Sequence, residues 1–63
     1  MNPEDFITEL SHLKAVLILD KKGDMNRFNV LYQAAQNAMF KGERINKELM
    51  EEFLYFRNLI GHQ

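Results

Sequence analysis

Phe6, Leu10, Leu13 and Leu17 recur at intervals of three and four, with polar or charged residues filling most positions between them. That spacing places all four on one face of an α-helix. Asn2 stands where an N-cap is needed, Pro3 suits the first helical position, and Glu4 and Asp5 suit the positive helix end. Lys21 and Lys22 match the negative end, and Gly23 can take the left-handed conformation that closes a helix. A second periodic segment runs from near Asp24 to Lys41, with Phe28, Leu31, Tyr32, Ala35, Ala38 and Met39 on its inner face and Gly42 to close it. The alanines on that face let a neighbouring helix come close. A third helix is announced by Asn46 as N-cap, with Ile45 and Met50 placed as a hydrophobic staple. Its inner stripe is Leu49, Phe53, Phe56 and Ile60, and Gly61 is expected to end it.

Gly23, Gly42 and Gly61 fall at equal intervals, but the segments between them share no side-chain pattern, so they are three helices of similar length rather than a repeat. Short connections favour antiparallel packing of sequential helices. The expected fold is all-α: three short helices in an antiparallel bundle, or a helical hairpin with one added helix, forming a single small domain over residues 1–63.

Size sharpens this picture. A domain of 63 residues buries only ~60% of the surface its unfolded chain exposes. The chain has no cysteine, which removes disulfides and cysteine-based zinc sites, and His12 and His62 are too few for a metal cage. No cofactor is expected. Good helix packing and oligomerisation remain as sources of stability. The net charge of −1 is not the basic balance that usually marks nucleic-acid binding. The longest uncharged stretch, Phe28 to Phe40, is rich in Asn and Gln and does not suit a membrane. A charged start followed by an apolar run is also lacking, so no signal peptide is expected and the expected location is the cytoplasm.

Large apolar residues also lie off the inner stripes: Ile7, Ile18 and Leu19 in the first helix, Val30 and Phe40 in the second, Leu54, Tyr55 and Leu59 in the third. A broad three-helix core absorbs some of them, and single surface hydrophobes are ordinary. The third helix, however, is apolar nearly all round, and such a helix expects protein on more than one side. The surplus therefore predicts a homodimer, with Ile18, Leu19, Leu54, Tyr55 and Leu59 as interface residues. On the outer face of the second helix Asn26, Asn29, Gln33, Gln36 and Asn37 gather beside Phe40. Neutral amides donate and accept hydrogen bonds without the desolvation cost of a charge, and an aromatic anchor inside such a rim suits protein recognition. Gln33, Gln36, Asn37 and Phe40 are the candidate partner-binding residues; the alternative is a solvated helix face that happens to use amides.

Near the C-terminus the stretch Phe56-Arg57-Asn58-Leu59-Ile60-Gly61-His62 carries an Arg, a polar neighbour and a His five positions after the Arg. It resembles the Arg-x4–6-His motif of the HEPN ribonuclease family, all-α dimers that cleave RNA with Arg and His paired across the dimer. The resemblance implies that His62 acts as acid or base, that Arg57 stabilises phosphate charge and that Asn58 orients the site. It covers seven residues, and the family's domain is longer, with a helix after the His where this chain has Gln63. Arg and His near a helix end also suit the helix dipole, and Arg57 is expected to reach an acid such as Glu9, Asp20 or Asp24. His12 reads as a solvated side chain. The run from Asp20 to Asp24 lacks the spacing of a calcium loop and reads as a helix cap. Glu48, Glu51 and Glu52 read as the solvent side of the third helix, and Ser11 has no base at a useful spacing. A helix-turn-helix reading meets Glu51 and Glu52 where DNA would approach, although Lys41, Arg44 and Lys47 cluster near the second connection.

The expected function is thus that of a small non-enzymatic regulatory or adaptor protein. It binds another protein through its helices and acts as a homodimer without a membrane or cofactor. A nucleic-acid-binding regulator is the second reading, and a minimal HEPN-like ribonuclease using Arg57 and His62 the third.

Overall fold

Each helix begins where a short polar side chain can satisfy backbone N–H groups that have no partner inside the helix. The computed structural model describes residues 1–60; the expected helix end at Gly61, with His62 and Gln63, lies outside the described residues. Helix α1 spans Pro3–Asp20, and Asn2 Oδ1 accepts from the Asp5 N–H at 2.8 Å. Helix α2 spans Met25–Lys41; the Asp24 carboxylate accepts from the N–H groups of Asn26 at 2.9 Å and Arg27 at 3.3 Å. Helix α3 spans Lys47–Leu59, with Asn46 accepting from the Leu49 N–H at 2.9 Å. All three starts lie where the sequence pattern places them.

The helix ends are less uniform. Gly42 closes α2 in the left-handed conformation at φ 71°, its N–H donating to Met39 O at 3.1 Å while Glu43 N–H reaches Ala38 O at 2.9 Å. At the end of α1 the left-handed residue is Lys21, at φ 55°, and not the expected Gly23. Lys21 N–H donates to Ile18 O at 3.2 Å and Lys22 N–H to Leu17 O at 3.0 Å. The reason is length. Asp24 is already committed to capping α2, so α1 must close at once. Gly23 serves the turn differently. It has φ 82°, and a Cβ there would lie 3.3 Å from Leu59 Cδ1 and 3.4 Å from the Phe56 ring. The α1–α2 turn is thereby pressed against the end of α3.

The core is one apolar cluster: Phe6, Leu10, Leu13 and Leu17 from α1, Phe28, Leu31 and Ala35 from α2, Phe53 and Phe56 from α3. The expected stripe of α1 is buried throughout, whereas Tyr32 and Met39 of α2, Leu49 of α3 and Ile60 just after it are only partly covered. Contact is broadest between α1 and α2, narrower between α2 and α3, and narrowest between α1 and α3. The architecture is an α1–α2 hairpin with α3 laid along it. Phenylalanines hold α3 in place: Phe28 meets Phe56 edge-on with centroids 5.1 Å apart, and Phe6 meets Phe53 at 5.4 Å. Among the described residues no polar or charged side chain is buried.

Burying one such side chain contributes ~1.5–3 kcal/mol, against a whole-domain stability of ~5–15 kcal/mol. Phe56→Ala, which removes a ring packed on Phe28 and Gly23, is expected to cost ~3–5 kcal/mol, read as a large fall in the urea midpoint. Lys21→Gly relieves a left-handed non-glycine residue and is expected to raise stability by up to ~1 kcal/mol in the same titration.

Candidate functional site

The off-stripe apolar residues divide once the helices are packed. Ile7 and Leu59 are partly buried against the core. Leu59, expected at a dimer interface, is committed in part to its own chain by the close approach of α3 to Gly23. Ile18, Leu19, Val30, Phe40, Leu54 and Tyr55 remain exposed. They do not form one surface. Neighbours in a helix point about 100° apart, so Ile18 and Leu19 diverge on α1, as Leu54 and Tyr55 do on α3.

On α2 the buried residues Phe28, Leu31, Ala35 and Ala38 fix which side faces inward. Asn26, Asn29, Gln33 and Asn37 are exposed, and Gln36 is partly covered. Within this neutral surface stand two large apolar side chains, Phe40 at 78% exposure and Val30 at 71%. The structure thus keeps the amides and Phe40 on the solvent side of a helix whose other side is core.

Among the described residues the shortest polar contact joins α2 to α3. Arg27 donates from Nε to Glu52 Oε2 at 2.9 Å and from Nη2 to Glu52 Oε1 at 2.6 Å. Its guanidinium also lies 3.9 Å from the centroid of the Tyr55 ring, a cation–π arrangement. One face of Tyr55 is therefore occupied within its own chain. The hydrogen bond from Arg27 holds the Glu52 carboxyl below the usual carboxylate range, and the bond to Glu52 pushes Arg27 above the usual guanidinium value. Glu52, expected on the solvent side of α3, is half-buried in a pairing that spans twenty-five residues of chain, which no local pattern reveals. The available signal was helical: Glu52 stands one turn before Phe56, and Arg27 one turn before Leu31, both buried.

Between α1 and α3, where packing is thinnest, lies an open groove of about 480 Å³ lined by Met1, Glu9, His12, Leu13, Val16, Phe53, Arg57 and Ile60. Its floor is apolar, and its rim carries Glu9, His12 and Arg57. The expected pairing of Arg57 with Glu9, Asp20 or Asp24 is not formed: the ion pairs among the described residues are Arg27–Glu52 and a long Lys47–Glu51 contact at 4.0 Å. Asp24 is engaged as the α2 cap, and α3 passes Glu9 across the width of the groove. Arg57 and Asn58 are exposed on the last turn of α3, and His62 of the HEPN-like motif lies outside the described residues. Lys41, Arg44 and Lys47 are exposed around the α2–α3 turn, with Glu43 and Glu48 exposed among them. Among the described residues no three His, Asp or Glu side chains gather as a metal site, and no helix is long and apolar enough to cross a membrane.

The Arg27–Glu52 bond has a pH signature. A depressed folded-state pKa means that Glu52 contributes stability above the ordinary glutamate value (~4.3), and that this contribution is lost as pH falls through the lower folded value. The stability gap between wild type and Glu52→Gln is therefore expected to be widest at neutral pH and to close on acidification. Denaturant titrations of both proteins across that range measure it.

No protein-family model matches the chain, and neither the curated proteins nor the solved structures give a significant match. The resemblance to the HEPN motif rests on its seven residues.

Proposed function

We propose that the chain is a small non-enzymatic adaptor or regulator that binds a protein partner through the outer face of α2 and works as a homodimer. The observation that carries the reading is Phe40, 78% exposed on a helix face otherwise furnished with neutral amides. A large aromatic held in water is poorly used by an isolated domain. Set among amides that cost less to desolvate than charges and can hydrogen-bond a partner, it is a recognition anchor, with Gln33, Gln36 and Asn37 as its polar rim. Ile18, Leu19, Leu54 and Tyr55 leave apolar surface open to self-association, on separate flanks rather than in one patch.

A second reading draws on Lys41, Arg44 and Lys47, exposed together around the α2–α3 turn. Nucleic-acid binding there would be strongly salt-dependent. Glu43 and Glu48, exposed in the same region, weaken the local field and leave protein binding favoured.

Phe40→Ala tests the main reading. The substitution keeps a good helix former at an exposed position, so circular dichroism and thermal stability are expected to stay unchanged. Affinity for a protein captured by the wild type from native lysate is expected to fall by roughly tenfold or more. Unchanged capture, or retention on RNA or DNA that vanishes with salt, would displace this reading.

A further inference from the structure

The α1–α3 groove carries two opposite charges that form no ion pair among the described residues. Glu9 stands on the α1 rim and Arg57 on the α3 rim, with Leu13, Phe53 and Ile60 between them. We infer that a second copy of this chain docks on this groove, about a two-fold axis running along the helices, so that Arg57 of each copy meets Glu9 of the other. The inference rests on the homodimer reading above and names its face.

The direction of the axis follows from the topology. Gly23, just before α2, packs on Phe56 and Leu59 near the end of α3, and Arg27 in the first turn of α2 bonds Glu52 midway along α3. Helices α2 and α3 are thus antiparallel. The short α1–α2 turn makes that pair antiparallel too, so α1 and α3 run the same way. A two-fold along that common direction sets α1 of one copy opposite α3 of the other at the same level, and Glu9 then faces Arg57 twice. A two-fold across the helices instead sets α1 against α1 and α3 against α3, which brings like charges together. The charge pattern selects the first. Such docking covers the apolar floor and also Val16 and Leu54, residues exposed at 37% and 42%; helical spacing puts Leu54 one turn before Arg57, on the same flank. Partner helices entering the groove supply the packing that α1 and α3 lack between themselves.

Charge reversal tests this in the full-length chain. Glu9→Arg alone sets Arg against Arg twice, and Arg57→Glu alone sets Glu against Glu twice. Each variant is expected to dissociate at concentrations where the wild type sediments as a dimer, with Kd raised at least about tenfold. Mixing the two variants restores both opposite-charge contacts, so a heterodimer of wild-type strength is expected by sedimentation and native mass spectrometry. Recovery on mixing cannot arise from two misfolded chains. If the wild type dimerises and neither variant alters it, the groove is not the interface, and the homodimer reading stands on another face. A wild type that stays monomeric at high micromolar concentration overturns both, and leaves the groove to a small ligand or a different protein.

Discussion

Phe56 holds the third helix onto the other two. Its ring meets Phe28 edge-on, contacts the α1–α2 turn at Gly23, and is fully buried. Alone, a helix of 13 residues such as α3 is marginal in water. Its order comes from the face it buries, and that face is supplied mainly by Phe53 and Phe56. Because Phe56 points toward α2 and its turn, α3 is drawn to that side. Arg27 and Glu52 then bridge the outer edge of the same contact.

The groove is the other side of this preference. A helix held against α2 leaves the thinnest contact to α1, in which Phe6 meets Phe53, and the space toward Arg57 and Ile60 stays open. Domains of this length have little core to spare, so an unfilled seam is costly in packing. In the proposed dimer a second chain closes the seam. The outer face of α2 takes no part in that contact, so each assembly would present Phe40 twice, and a partner with two matching sites would bind with avidity.

The exposed residues show why surface cannot be read from helical pattern alone. Ile7 and Leu59 lie off the inner stripes, yet both pack against the core. Tyr55 lies off the stripe of α3 as well, and one face of its ring is taken by a guanidinium from another helix while the residue stays partly in water. Phe40 and Val30, read the same way from sequence, stay in water. The difference lies in which flank of each helix has a neighbour, and that depends on how far α3 leans toward α2.

What local chemistry dictates was legible without coordinates: Asn2, Asp24 and Asn46 begin the helices because their side chains accept from unpaired N–H groups, and Phe6, Leu10, Leu13 and Leu17 share a face because helical spacing requires it. Gly42 was equally plain, since a positive φ favours glycine whatever surrounds it. Lys21 was not, because only the tightness of the turn into α2 forces a left-handed lysine. The bond from Arg27 to Glu52, the half-burial of Leu59 and the placing of Glu9 and Arg57 on opposite rims of one groove belong to tertiary structure alone. Each joins residues far apart in the chain, and their distance depends on the relative placement of whole helices, which short-range periodicity does not encode.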